Sequence, residues 1–154
     1  MKKLLLLCSL TFLFFTGKAQ NLKPFEANNG LYGYKDEKGK IVIPARYVTA
    51  TYFYEGIDKA WVYLNSKFAL IDKKGKTVTP FKYSYVNFFK EGLAVIAIDT
   101  KFMEEGGKYG FIDKNGKETI PLIYDYAEEF DNGKAKVKKG GQEFYIDKNG
   151  KVVK

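Results

Sequence analysis

Short runs of apolar and aromatic residues, separated by turn-forming residues, dominate the chain after its first twenty residues. Gly110–Ile112 and Glu118–Ile120 flank the sequence Asp-Lys-Asn-Gly, where aspartate suits the start of a type I turn and glycine the left-handed position that follows. The aromatic and β-branched residues of these runs are typical of strands. Lys134–Lys138 alternates charged and apolar residues, which predicts a strand with one buried face. With no sustained 3.6-residue period, the pattern predicts an all-β fold.

The same hairpin pattern recurs along the chain. Its copies are Tyr32–Lys40, Phe68–Lys76, Tyr109–Lys117 and Glu143–Lys151, and their turn aspartates are Asp36, Asp72, Asp113 and Asp147. These aspartates lie 36, 41 and 34 residues apart. In the three full copies a proline, a tyrosine, a phenylalanine and a glycine follow the aspartate by 8, 11, 17 and 20 residues. These residues are Pro44, Pro80, Pro121, Tyr47, Tyr83, Tyr124, Phe53, Phe89, Phe130, Gly56, Gly92 and Gly133. Agreement at so many fixed offsets predicts a tandem repeat.

We interpret each repeat as a three-stranded β-meander. The hairpin supplies two strands, and the proline is expected to end the second because it has no N–H to donate to the ladder. The glycine then opens a third strand, at Lys59–Leu64, Leu93–Ile98 and Lys134–Lys138. A short connection, Asn65-Ser66 or Gly140-Gly141, leads to the next repeat. With a terminal half repeat, this interpretation predicts eleven strands.

One repeat cannot bury its own apolar face, so the repeats are expected to stack. We predict a lead-in over residues 20–29 and a repeat domain over 30–154. The domain divides into units 30–65, 66–105 and 106–140 and a partial capping unit 141–154. The predicted architecture is an open, curved array of stacked meanders, and a partly closed β-barrel is the alternative.

The first nineteen residues have the three-part layout of a secretory signal. Lys2 and Lys3 precede the apolar run Leu4–Phe15, and small residues lead to a cut after Ala19 or Gln20. The run is too short for the ~20 apolar residues that span a bilayer, so we expect no stable membrane span after cleavage. Cys8 is interpreted as part of this run. The protein is predicted to be exported, and to be periplasmic, at the cell surface or secreted.

Composition excludes several kinds of chemistry from the exported chain. It has no histidine, and its only cysteine, Cys8, lies in the leader, so disulfides, thiolate nucleophiles, imidazole bases and ordinary zinc sites are excluded. Loss of the leader leaves 23 basic and 18 acidic residues, a net charge of about +5. The lysines are spread along the chain, which argues against nucleic-acid binding. We expect no enzyme activity, no cofactor and no metal, and we assign the hairpin aspartates to turn capping rather than to calcium binding.

The repeat resembles the WG-repeat family over essentially residues 30–154. The resemblance is carried by Tyr109–Asp113 with Gly116, Ile120-Pro121, Tyr124-Asp125, Phe130 and Gly133. It implies a β-repeat module without an established general activity, and it supplies no catalytic residues. No repeat here has Trp-Gly itself, since the openings are Tyr32-Gly33, Phe68-Ala69, Tyr109-Gly110 and Glu143-Phe144. In the first unit Asp58 replaces the alanine expected two residues after the glycine, so a shifted third strand is expected there.

Most aromatic residues fall at repeat-fixed positions, which predicts that they pack in the interior. Six do not, and they are our candidates for a contact surface: Tyr52, Tyr54, Trp61, Tyr63, Tyr85 and Phe88. A five-residue insertion within Asp99–Gly107 is a further candidate, although a longer loop is easily tolerated.

Three functional hypotheses follow. The first is a non-enzymatic module that binds an unidentified protein or peptide partner. The second is a glycan- or peptidoglycan-binding module with Trp61 in its aromatic contact surface, and it requires Trp61 to be exposed. The third is a carboxylate-based hydrolase, for which the paired acids Glu104-Glu105 and Glu128-Glu129 are the available groups.

Overall fold

A computed structural model describes residues 21–100 and 106–154 of the protein. The predicted signal, 1–19, lies outside these ranges. Within them the chain forms fourteen strands and no helix. The strands are β1 Lys23–Glu26, β2 Tyr32–Lys35, β3 Ile41–Tyr47, β4 Thr49–Ala50, β5 Lys59–Leu64, β6 Lys67–Asp72, β7 Tyr85–Val86, β8 Leu93–Ile98, β9 Lys108–Asp113, β10 Glu118–Tyr124, β11 Tyr126–Ala127, β12 Lys134–Lys139, β13 Gln142–Asp147 and β14 Val152–Val153. No helix among the described residues has the length and apolar character needed to cross a bilayer.

The strands form four small antiparallel sheets, each with its strands in chain order. Sheet 1 contains β1 to β3, sheet 2 contains β4 to β6, sheet 3 contains β7 to β10, and sheet 4 contains β11 to β14. None of the four closes on itself. The predicted open array of β-repeats is therefore confirmed, and the alternative of a partly closed barrel is wrong.

The sheets are offset from the sequence units. The third strand of each unit pairs with the first strand of the next, as β5 does with β6 from Lys59↔Asp72 to Leu64↔Lys67. The two strands are joined by Asn65 and Ser66, whose positive φ values of 51° and 61° suit a two-residue hairpin turn. In sheet 1 the lead-in strand β1 takes the place of a third strand beside β2. Each unit is therefore tied to its neighbour by backbone hydrogen bonds.

Two features differ from the meander predicted from sequence, one in all three full units and one in the first and third units. A short extra strand follows the second hairpin strand, because β4, β7 and β11 each start thirteen residues after a turn aspartate. In addition, Pro44 and Pro121 do not end their strands as predicted. They lie within β3 and β10, at register shifts in the pairing with β2 and β9. A bulge leaves a backbone position without a ladder partner, and proline fits there because it has no N–H to donate.

The four hairpin turns share one capping arrangement. The Asp36 Oδ1 atom accepts hydrogen bonds from the backbone N–H groups of Lys38 and Lys40, at 3.0 and 2.9 Å. The aspartates of the other three turns accept the same pair of hydrogen bonds, at 2.8–3.0 Å. These carboxylates satisfy backbone donors of the turn, which is the role predicted for them.

Three apolar clusters pack the sheets against one another. Each combines residues of two successive sheets, such as Tyr34 and Ile43 of sheet 1 with Val62 of sheet 2. The inner strands bury both faces. In β8, Ala94 packs in the cluster between sheets 2 and 3, and Val95 packs in the cluster between sheets 3 and 4. Strand β12 of sheet 4 instead alternates buried residues with partly or fully exposed ones, as its sequence predicts.

The turn glycines complete the stacking between units. A Cβ atom built on Gly75 would lie 3.2 Å from Ile43 Cγ2, and one built on Gly150 would lie 3.7 Å from the Ile120 side chain. The hairpin turns of the second unit and of the partial capping unit therefore sit directly on the second strand of the preceding unit. Stacking of hairpins is thus one of the contacts that join successive units.

The second unit departs from the other two. Its predicted second strand is absent, and only isolated bridges, Phe68↔Tyr83 and Ile71↔Thr77, remain. The expected shift in the first unit is confirmed, because β5 starts 23 residues after its turn aspartate whereas β8 and β12 start 21 after theirs.

Candidate binding surface

The six aromatic candidates divide by exposure. Tyr52 and Phe88 are 67% and 66% exposed, whereas Trp61 is 1% exposed. Tyr54, Tyr63 and Tyr85 are half-buried. Only part of the predicted set is therefore available to a partner.

Trp61 is a core residue. Its ring is stacked on Phe89, with centroids 6.1 Å apart and planes 4° apart, and it packs edge to face with Tyr83. The indole Nε1–H has no hydrogen-bond partner among the described residues. A glycan-binding surface built on Trp61 is therefore wrong, because this ring cannot stack on a sugar from inside the core.

Tyr52, Tyr54 and Phe88 form an aromatic patch. The Tyr54 and Phe88 rings meet edge to face with centroids 6.3 Å apart, and Tyr54 also contacts Phe89, at 5.2 Å. Burial raises the pKa of Tyr54 to about 12, so its hydroxyl is neutral at physiological pH. Tyr52 and Tyr54 together line an open groove of about 600 Å³ that also contains Lys73. The patch thus joins exposed rings of two successive units.

A small apolar pocket lies under the patch, between the first and second units. We call it the first pocket. It has a volume of about 120 Å³. Its lining residues are Thr51, Tyr54, Trp61, Phe68, Val86, Asn87 and Phe88. Tyr63, another of the candidates, contacts the lining residue Phe68 with ring centroids 4.6 Å apart.

A second pocket lies between the second and third units. It has a volume of about 220 Å³. Its lining residues are Tyr85, Asn87, Tyr109, Tyr126, Ala127, Glu128 and Glu129. Asn87 lines both pockets, so the two sites adjoin.

The two pockets are built from equivalent repeat positions. Counted from the turn aspartates, Phe68 corresponds to Tyr109, and Phe88 corresponds to Glu129. By the same count Asn87 of the first pocket corresponds to Glu128 of the second. Asn87 belongs to the second unit and also lines the second pocket. One backbone arrangement therefore presents apolar chemistry in the first pocket and hydroxyl and carboxylate groups in the second.

The second pocket has a distinct electrostatic character. Burial raises the pKa of Tyr85, and the neighbouring Tyr109, Tyr126 and Glu129 raise it further. Burial likewise raises the pKa of Tyr126, with a contribution from Glu128. These tyrosines stay protonated, so the carboxylates carry the negative charge of the pocket.

The sequence predicts Tyr85 as a contact residue but does not mark Tyr126, Glu128 or Glu129 as contact residues. The signal that marks Tyr126 was available, because Tyr85 and Tyr126 both lie thirteen residues after a turn aspartate. The sequence names the two glutamates only as acids available to a hydrolase, and both are exposed. The two glutamates lie beside the tyrosines of the second pocket because two units pack together there, and this packing cannot be predicted from the sequence of either unit.

The insertion between the second and third units replaces a hairpin turn. Nine residues, 99–107, connect the paired residues Ile98 and Lys108. Two residues connect the equivalent pairs Leu64–Lys67 and Lys139–Gln142. The turn is therefore seven residues longer than its equivalents, rather than the five suggested by the spacing of the aspartates. Residues 101–105, including Glu104-Glu105, lie outside the described residues.

Comparison with known proteins gives one family. A family model described as "WG containing repeat" matches residues 32–68, 68–102 and 109–142, more than half of the 154 residues. The three matches begin at the openings of the three hairpins. Neither the curated proteins nor the solved structures gave a match. The chain therefore belongs to the WG-repeat family.

Proposed function

We propose that this protein is an exported, non-enzymatic interaction module that binds a protein or peptide partner through the aromatic patch. The observation that carries the proposal is the exposure of Tyr52 and Phe88, at 67% and 66%, next to Tyr54. Large exposed aromatic side chains of this kind are enriched at binding sites. The repeat-fixed aromatics behave differently, since Tyr47 and Tyr83 are both buried.

The repeat geometry favours an extended partner. Tyr52, Phe88 and Glu129 each lie sixteen residues after a turn aspartate, so successive units present one side chain each at the same place. An array of this kind offers a row of equivalent positions rather than a single cavity. A partner in extended conformation would contact two or three of these positions at once.

Two sequence features support the remaining parts of the proposal. The signal-like leader supports export, and N-terminal sequencing of the protein recovered from the envelope or medium should then read from Gln20 or Asn21. The absence of histidine, and of cysteine after the leader, supports a role without catalysis. Glu128 and Glu129 are both exposed, without the contrast in environment that separates a general acid from a base.

Panning a random peptide display library against the purified protein tests the binding proposal. We expect the wild-type protein to enrich related peptides, and we expect Tyr52→Ser with Phe88→Ser to abolish that enrichment. Val152→Ser is the matched control, because Val152 is 61% exposed and lies at the far end of the array. Thermal unfolding curves should establish that all variants are folded. Equal enrichment by the patch variant and the control would contradict the proposal.

Glycan binding is the second candidate function. It is favoured by the same exposed rings, since Tyr52 and Phe88 could stack on sugar faces, but it no longer includes Trp61. A glycan array probed with the wild-type protein and the two variants distinguishes the candidates. Signal that depends on Tyr52 and Phe88, together with no peptide enrichment, would favour the glycan.

A further inference from the structure

We infer that the second pocket receives a cationic side chain, lysine or arginine, of the partner peptide. This inference rests on the proposed function and specifies the ligand that the same surface binds. It is drawn from three properties of the pocket: its aromatic walls, its carboxylates and its relation to the first pocket.

The walls of the pocket are three tyrosine rings in a row. The centroids of Tyr85 and Tyr109 are 6.1 Å apart, and those of Tyr109 and Tyr126 are 5.6 Å apart. Tyr109 is buried and fixes the centre of the row, while Tyr85 and Tyr126 are half-buried at its sides. Ring faces attract cations, and adjacent rings around one space are the usual means of binding an ammonium group.

The rim of the pocket supplies negative charge. Glu128 and Glu129 both line it. Glu129 already binds a cation of this protein, because its Oε1 atom lies 3.1 Å from Lys90 Nζ. Lys90 also lies 3.2 Å from Asp131, and Lys136 interacts electrostatically with Glu128, so three carboxylates face two lysines in this group. Such an excess is notable in a protein whose exported chain, with 23 basic and 18 acidic residues, has a net charge of about +5.

The equivalent first pocket is a natural comparison. It has Phe68 and Phe88 where the second pocket has Tyr109 and Glu129. A charged side chain would lose its hydration in the first pocket without gaining a counter-ion, whereas an apolar side chain would be well placed there. Because Asn87 lines both pockets, nearby residues of one peptide can occupy them. The expected ligand therefore has an apolar residue and a lysine or arginine close together in sequence.

The display experiment tests this inference when its selected sequences are examined. We expect peptides enriched by the wild-type protein to carry lysine or arginine near an apolar residue. Replacing that lysine by norleucine should weaken binding about tenfold, as loss of a cation–π and charge contact predicts. The variant Glu128→Gln/Glu129→Gln should weaken binding of the selected lysine peptide by a similar factor and leave binding of the norleucine peptide unchanged. Glu37→Gln is the matched control, since Glu37 is an exposed acid on the first hairpin turn.

The possible outcomes separate the inference from the proposed function. Enriched peptides without a basic residue, or a selected peptide that binds the double variant as well as the wild type, would overturn the inference alone. In that case binding that still requires Phe88 would support the interaction module. A wild-type protein that enriches no peptide would contradict the proposed function and this inference together.

The variant Tyr126→Leu tests the aromatic wall. It should weaken binding of the lysine peptide more than binding of the norleucine peptide, because it removes a ring while keeping an apolar wall.

Discussion

The first and third units complete a regular hairpin, whereas the second unit, with the same sequence pattern, does not. In the outer two, β2 pairs with β3 and β9 with β10, each with the same bulge around a proline. In the second unit β6 has no such partner strand, although the following tyrosine, Tyr83, returns to pair with Phe68. The repeat therefore tolerates loss of a strand without loss of its stacking.

A single methyl group accounts for much of this difference. A Cβ atom on Gly33 would lie 2.5 Å from the Ile43 carbonyl oxygen, and one on Gly110 would lie 2.6 Å from that of Ile120. These distances are far shorter than any carbon–oxygen contact, so the close hairpin requires glycine. The second unit has Ala69 at this position, and the alanine is completely buried.

A side chain replaces the lost backbone pairing. The backbone N–H of Leu70 donates to Thr79 Oγ1, at 2.9 Å. Thr79 occupies the position of Ile43 and Ile120, seven residues after the turn aspartate, and it is buried as they are. The second unit thus pairs alanine with threonine where the others pair glycine with isoleucine. The comparison teaches that these two positions act together to set the hairpin.

The largest expected effect comes from giving the third unit the alanine of the second. Gly110→Ala should force β10 away from β9 and destabilise the protein by about 3 kcal/mol, because the new methyl group overlaps backbone atoms that cannot rotate away. Urea unfolding measures this loss. The control is Gly30→Ala, where a Cβ would meet nothing within 4 Å and only the positive φ of 75° is unfavourable, by about 1 kcal/mol. Equal losses in the two variants would show that the close approach is not the cause.

Much of this fold could be predicted from the fixed offsets. The hairpin turns were predictable because Asp113 and its equivalents use the same local hydrogen bonds wherever the turn occurs. The two-residue strands β4, β7 and β11 could not be predicted in the same way. A pair such as Tyr85–Val86 has no alternation of its own and becomes a strand only by pairing with β8.

The candidate surface was harder to predict because exposure depends on the neighbouring unit. Trp61 and Lys136 occupy equivalent places in β5 and β12, since they pair with Leu70 and Tyr145. Trp61 is covered by sheet 3, whereas Lys136 lies in sheet 4, the last sheet of the described residues, and is half-buried. The sequence of one unit cannot supply this information. Phe88 departs from the repeat and is 66% exposed, as the sequence predicts, and its role as a contact residue stays a prediction.

A smaller effect is expected from Thr79→Val, which sharpens the comparison within the second unit. The change keeps the shape of the side chain but leaves the buried Leu70 N–H without its acceptor, and it should destabilise the protein by about 1–2 kcal/mol. The same change in an Ala69→Gly background should be nearly neutral, because glycine allows the second strand to approach and accept the hydrogen bond. Urea unfolding of the four proteins forms a double-mutant cycle. Additive losses would mean that the two positions do not act together.

The smallest effect concerns a contact that joins the irregular second unit to the third. The Tyr83 hydroxyl donates to Glu118 Oε1, at 2.8 Å, whereas the equivalent Tyr47 hydroxyl accepts a hydrogen bond from Arg46 of its own unit. Burial acts to raise the pKa of Glu118, but the hydrogen bonds from Lys82 and Tyr83 outweigh it and hold the pKa below its usual value of 4.5. Tyr83→Phe should therefore destabilise the protein at pH 7 by at most about 1 kcal/mol.

The pH dependence of that loss identifies its cause. A carboxyl group with a lowered pKa in the folded state contributes stability that is present above its unfolded pKa and is lost as the pH falls through the folded one. The difference in unfolding free energy between the wild type and Tyr83→Phe should thus be constant from pH 7 to about pH 5 and shrink below pH 4.5. Urea unfolding at several pH values measures this difference. Glu118→Gln provides the control, since a neutral amide still accepts a hydrogen bond but cannot titrate, and the effect of Tyr83→Phe in that background should not vary with pH. A loss that stays the same at pH 3.5 in the native background would mean that Tyr83 stabilises the junction by packing alone.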